Sequence, residues 1–411
     1  MSDQGQSPEN SRRATNPLRD ITPQSLFSGS LAAFVGFASS FAVVLQGLRS
    51  VGASDAQAAS GLMVAAISMG ICSVLLSLRT RMPVGVAWST QGAALLAASG
   101  TVAGGFSNAV GAFLCCGVLL VLAGVFRPLA RAVEAIPAAL ANALLAGVLL
   151  KLCLAPFKAV AFNPWLGLPI VIAWIVGARL NRYLAVPAAL LAFVIVVVVG
   201  VEFPEDWQIL LKKSLVPQPI FTTPSFSIES VFSLALPLFV VTMASQNIPG
   251  LAVLRANEFK TPTAPLITTT GWFSMLGATL GAHAVNLSAI VAAMMAGEEG
   301  GPDRNKRYIA TVTFGLMNIV LGIFAGFTTA FVSLAPVILI EAVAGLALIA
   351  AFTGSALGAF KDESTRPAAA VTFLAAASGM TLLGVSGAFW GLVAGYLMVL
   401  LTGTIKTPSS H

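Results

Sequence analysis

Charge is scarce in this chain. Asp, Glu, Lys and Arg make up only 9% of its 411 residues, against about a quarter in soluble domains. With 57% of the residues hydrophobic, a water-soluble core is excluded, and the chain reads as a polytopic membrane protein. Histidine is scarcer still, at two residues. A membrane-embedded enzyme would need a cluster of His, Asp, Glu or Cys, so no catalytic residue, metal or cofactor is expected. The four cysteines (Cys72, Cys115, Cys116 and Cys153) all fall in apolar segments, where they read as small buried hydrophobes rather than a disulfide frame. The net charge of +6 is built from basic residues scattered singly at segment ends, which argues against a nucleic-acid partner. No short apolar run with a small-residue cleavage site follows Arg12, Arg13 and Arg19. Residues 1–25 therefore read as a disordered cytoplasmic tail and not a cleaved signal.

What the chain has in plenty is apolar runs. They fall near 26–48, 57–78, 83–99, 106–126, 137–156, 163–179, 184–201, 229–247, 264–280, 283–296, 308–327, 331–350, 367–381 and 385–404. That makes fourteen candidate membrane segments. The long polar interruption 202–228 leaves seven before it (26–201) and seven after it (229–405), with a short cytoplasmic tail at 406–411. If the N-terminus is inside and every segment crosses, seventeen of the 22 Lys and Arg residues face the cytoplasm. Such a bias supports both the count and the orientation. The linker 202–228 is then extracytoplasmic and both termini are cytoplasmic. Seven is odd, so the second half inserts upside down relative to the first: an all-α, seven-plus-seven inverted repeat. Glu134, among Arg127 and Arg131, reads as an interfacial ion-pair partner.

Two segments are too short to span a bilayer, which needs about 20 residues. The first opens as Pro83-Val-Gly-Val-Ala-Trp-Ser-Thr-Gln-Gly92, with residues that suit extended backbone. Ser89 and Thr90 then offer helix caps before an apolar run. The second opens as Gly281-Ala-His-Ala-Val-Asn-Leu-Ser288. Each reads as a short strand followed by a half-helix. Gln46 precedes Thr90 by 44 residues and Gln246 precedes Ser288 by 42, matching positions in the two halves. Two half-helix N-termini facing each other would present unpaired N–H groups and partial positive charge, a site for an anion. Ser89, Thr90, Gln91, Asn286, Leu287 and Ser288 belong to that candidate site, with Trp88, Phe37 and Phe41 as aromatic contacts. The predicted ligand is a small organic anion with a ring. The competing reading is that Ser89 and Thr90 only cap helices while Trp88 packs between segments.

Gln246 and Asn247 are costly in lipid. They are either ligand groups or helix-end caps before Pro249-Gly250, and Gln46 carries the same ambiguity. Glu341 and Lys151 are ionisable groups inside segments that correspond in the two halves. They are either a structural pair, or Glu341 carries a proton while Lys151 reaches the outer interface. His283 is either a titrating group or a satisfied structural histidine.

The strings Leu236-Pro-Leu-Phe-Val-Val-Thr-Met-Ala-Ser-Gln-Asn-Ile-Pro-Gly250 and Arg81-Met-Pro-Val-Gly-Val-Ala-Trp-Ser-Thr90 resemble the bacterial benzoate/proton symporter family, BenE. The resemblance runs over about 26–405. It implies the fold of nucleobase and sulfate-type anion transporters. Segments 1–4 and 8–11 would form a core domain that holds the ligand, and segments 5–7 and 12–14 a gate domain. Alternating access would follow from motion of core against gate within a homodimer. It implies import of benzoate or a similar aromatic carboxylate with a proton; a nucleobase or inorganic-anion carrier is the alternative. Related nucleobase transporters carry acidic residues where this chain has Gln246, Asn247 and Asn286. The absence of a carboxylate there fits an anionic ligand and leaves the proton carrier unassigned.

Overall fold

The computed structural model describes residues 17–126, 128–129, 136–181, 184–382 and 385–402. Most of the N-terminal tail, the tail 406–411, and Arg127, Arg131 and Glu134 lie outside the described residues. The first half runs α1 (Pro23–Ser50), α2 (Asp55–Thr80), β1 (Val86–Trp88), α3 (Thr90–Ser99), α4 (Gly105–Val125), α5 (Ala138–Cys153), α6 (Ala155–Phe162), α7 (Pro164–Leu180) and α8 (Ala185–Gly200). A short helix, α9 (Trp207–Lys213), lies in the linker. The second half runs α10 (Ile228–Ala256), α11 (Thr263–Ala278), β2 (Val285–Leu287), α12 (Ala289–Ala296), α13 (Tyr308–Ile323), α14 (Ala325–Ser333), α15 (Val337–Phe360), α16 (Arg366–Ser378), β3 (Thr381–Leu382), β4 (Val385–Ser386) and α17 (Gly387–Leu401). Six spans are long and apolar enough to cross a membrane (α1, α2, α4, α5 with α6, α10 and α15), and the pair α13–α14, bent by 50°, makes a seventh. Large apolar side chains point outward, with Val199 82% and Leu401 87% exposed. Such a surface is stable only against lipid. The protein is a mostly helical, multi-pass membrane protein.

Local chemistry sets the helix ends. Thr22 and Ser54 both close capping boxes, with Ser25 and Gln57 as their reciprocal partners, which satisfies donors that lipid could not. The two halves exchange helices: α4 packs along α11 of the second half, and α13 along α2 of the first. Both crossings depend on glycine. A Cβ on Gly70 of α2 would stand 2.5 Å from the Gly315 carbonyl oxygen of α13, and one on Gly271 of α11 would stand 2.7 Å from the Val121 nitrogen of α4. Apolar surface gains nothing by leaving lipid for another apolar surface, so close backbone approach supplies the contact energy instead.

Helix α10 differs from the sequence expectation. A helix end was one reading of Gln246-Asn247-Ile248-Pro249, but the helix continues to Ala256. The turn Met243–Asn247 is π-type, and Ile248 N–H bonds back to the Met243 carbonyl. This widened turn comes just before Pro249, which has no N–H to donate, so the helix passes the proline without stopping. The expected segment 331–350 is also shifted. Its first residues close α14, and the spanning helix is Val337–Phe360, because Pro336 sets the break.

Candidate functional site

Strands β1 and β2 meet antiparallel, pairing Val86 with Leu287, Ala87 with Asn286 and Trp88 with Val285. The ladder extends by one bond at each end, Ser89 N–H to the Ala284 carbonyl and Ser288 N–H to the Gly85 carbonyl, both 2.9 Å. Each strand is also pinned by a serine of the helix before it. Ser73 Oγ accepts from Val86 N–H at 2.9 Å and donates to its carbonyl at 3.2 Å; Ser274 does the same for Val285 at the same distances. Extended backbone in a membrane interior must find every partner inside the protein, and these bonds supply them.

Beyond the strands the chain turns into α3 and α12, each capped by its serine. Ser89 Oγ accepts from Gly92 N–H and Ser288 Oγ from Val291 N–H. Ser89 Oγ also shares a hydrogen bond of 3.0 Å with Thr242 of α10. The two helix starts border one cavity of about 470 Å³, lined among others by Ser40, Trp88, Thr90, Gln91, Gln246 and Ser288. That volume is in the usual range for a small-molecule site, roughly 300–1,000 Å³. Alanines 347, 350 and 351 of α15 close the opposite wall, with Met294 and Phe314 beside them.

The polar wall is ordered by Gln246. Its Oε1 accepts from the Ala289 N–H at 3.3 Å, and its Nε2 donates to Gln91 Oε1 at 2.7 Å. Both oxygens are thereby used, and the Gln91 amide nitrogen is left as a donor. Among the described residues, the backbone N–H groups of Thr90, Gln91 and Ile290 make no protein hydrogen bond. Ser40 spends its one proton on the Gly36 carbonyl and accepts from Trp88 Nε1 at 2.9 Å. The wall therefore offers mainly donors, at the positive ends of two helices, and no carboxylate. That is the electrostatic complement of an oxyanion.

The remaining sequence candidates divide into groups. Asn247 is fully buried, and its Oδ1 accepts from Leu287 N–H at 2.8 Å, so it struts β2 from behind. Asn286 and Leu287 are buried within the strand, and the Asn286 amide donates to the Leu287 carbonyl. His283 is buried with Nε2 3.0 Å from the Ser89 carbonyl oxygen. That oxygen can only accept, so Nε2 carries the proton, and His283 ties β2's loop to the α3 cap. Phe37 leans on Trp88 with ring centroids 5.4 Å apart. Phe41 stacks on Phe37 and lines a separate apolar pocket with Phe193 and Phe331, away from the polar wall. Gln46 is not among the residues that line the cavity, and its buried Oε1 has no hydrogen-bond partner. None of the ion pairs among the described residues includes Glu341, Lys151 or Lys158.

Sequence reading missed Ser73, Ser274, Thr242 and Ser40, all of which position the site. Each is one small hydroxyl in an apolar helix, and spacing alone does not distinguish a strand anchor from a residue that bonds its own helix.

The sequence model of the BenE family, benzoate membrane transport protein, matches residues 19–401. The inner membrane protein YdcO of Escherichia coli is 38% identical over 379 residues, covering 92% of this chain and 95% of that protein. The benzoate membrane transport protein of Acinetobacter baylyi is 29% identical over 389 residues, again covering 92% and 95%. Two solved structures share the fold at 13% identity. The transmembrane domain of the cyanobacterial bicarbonate transporter BicA has a TM-score of 0.53 over 94% of this chain and 99% of that one. SLC26A9 has a TM-score of 0.57 over 96% of this chain and 68% of that one. The chain therefore belongs to the BenE family of benzoate membrane transport proteins, and is a membrane transporter rather than an enzyme.

Proposed function

We propose that this protein imports benzoate or a similar aromatic carboxylate, together with a proton, across the bacterial inner membrane. The observation that carries this reading is the donor-rich wall of Thr90, Gln91, Gln246, Ser288 and Ile290, which faces an apolar cavity and contains no acidic group. The carboxylate would lie between the starts of α3 and α12. The ring would lie against Trp88, Met294, Phe314 and the alanines of α15. The name of the Acinetobacter relative supports the substrate, and that of the Escherichia coli relative the membrane.

The same proposal includes fourteen segments in a seven-plus-seven inverted repeat with both termini cytoplasmic, and a homodimer as the assembly. Matching serine anchors and half-helix caps in the two halves support the repeat. Core (segments 1–4 and 8–11) and gate (5–7 and 12–14) would move against each other, with the substrate between them. Glu341, a half-buried carboxylate within the spanning helix α15, is the leading proton carrier, with His283 and Lys151 as the other candidates.

Purified protein in proteoliposomes, given labelled benzoate with and without an inward proton gradient, tests the reading. Gradient-dependent uptake is expected, and uptake that ignores the gradient would sink symport. A second reading, an inorganic-anion or nucleobase carrier, is favoured by the fold shared with a bicarbonate transporter. Uptake of labelled bicarbonate, sulfate or uracil that benzoate does not inhibit would establish it.

A further inference from the structure

The donor-rich wall has one exception on the cavity's other side. Asn318 of α13 lines the cavity and is fully buried. Its amide nitrogen donates to the Phe314 carbonyl at 2.9 Å, one turn earlier on the same helix. That bond fixes which end of the amide is which, and Oδ1 is left with no donor. A buried carbonyl oxygen without a partner has lost its water and gained nothing for it, which natural cores rarely leave unexplained.

We propose that Asn318 reads a hydrogen-bond donor on the ring, so that the preferred substrates are hydroxy-substituted aromatic carboxylates. This rests on the aromatic-carboxylate reading of the same cavity and deepens it. The carboxylate satisfies the helix-end donors, and a ring hydroxyl at the far side satisfies Oδ1. A cavity of about 470 Å³ has room for the extra substituent. An unsubstituted ring would leave Oδ1 unpaired, and a site built to bond a hydroxyl discriminates against the analogue that lacks it.

The test is equilibrium binding of labelled benzoate to the purified full-length protein, displaced by unlabelled 2-, 3- and 4-hydroxybenzoate and by the three matching methylbenzoates. Each methyl compound has nearly the shape of its partner without the donor. On the wild-type protein, at least one hydroxy isomer should displace at a concentration about tenfold below its methyl counterpart, as one buried hydrogen bond allows. In Asn318→Leu that ratio should fall to about one. Equal displacement by hydroxy and methyl partners at all three positions would overturn the assignment, and so would a ratio that survives in Asn318→Leu. The wild-type comparison decides without any variant, so poor folding of Asn318→Leu would not protect the idea. Failure of labelled benzoate to bind at all would overturn the aromatic-carboxylate reading itself, a result distinct from bound benzoate with no hydroxyl preference.

Discussion

Gln246 is the side chain on which both half-helix ends converge. It takes up the first N–H of α12 and turns the Gln91 amide so that its nitrogen stays free. Gln246→Leu frees the Ala289 N–H and lets Gln91 rotate. Benzoate binding should weaken about ten- to a hundredfold, the cost of unpairing buried polar groups. Gln246→Glu should be worse than Gln246→Leu at neutral pH, because it sets a carboxylate against Gln91 Oε1 and against the anionic ligand. Equal binding by the two variants, measured by scintillation proximity, would remove Gln246 from the site. Ser89 works differently: it caps α3 and bonds Thr242. Ser89→Ala should lower thermal stability by about 1–2 kcal/mol, as loss of a buried cap does, and a melting curve checks it.

At the scale of elements, the site depends on how closely helices of opposite halves approach. Gly315 meets the Gly70 carbonyl oxygen, where an added Cβ would stand at 2.6 Å. Gly315→Leu should therefore abolish the monodisperse peak in size-exclusion chromatography. Gly354→Ala on α15 has no atom within 4 Å of the added Cβ and should leave the peak intact. If Gly315→Leu behaved like Gly354→Ala, the α2–α13 crossing would not be as tight as described. The strand anchors give a second prediction. Ser73→Ala and Ser274→Ala each remove the acceptor of the strand N–H, Val86 and Val285 respectively, so each should lower the melting temperature to a similar extent. A large effect from one and none from the other would count against equivalent roles for the two halves.

At the scale of the whole molecule, orientation is the open quantity. The loop after α15 carries Lys361 and the linker carries Lys212, both exposed. In a background with Cys72, Cys115, Cys116 and Cys153 replaced, Lys212→Cys should react with an impermeant maleimide on intact cells. Lys361→Cys should react only after permeabilisation. Labelling of both from the same side would break the proposed topology. The four native cysteines must be replaced to keep the background clean, although three of them are buried in the folded protein.

Composition and charge distribution determine the membrane class and the two interrupted segments, because lipid leaves so few solutions for a backbone. The strands at 86–88 and 285–287 were legible for that reason: glycine, proline, tryptophan and branched residues precede a serine cap. The donor types at the half-helix starts were legible too. What only the tertiary structure decided is which polar residues face the cavity. Gln46 and Gln246 occupy matching places in the sequence, yet Gln46 does not line the cavity and Gln246 orders it. Gln246 sits in the π-type turn Met243–Asn247, which a 3.6-residue period does not announce. Ser73 and Ser274 bond Val86 and Val285 of the strands that follow their own helices, and Asn318 borders the cavity; none of the three is marked in the sequence, because a lone hydroxyl or amide in an apolar helix bonds its own backbone just as readily.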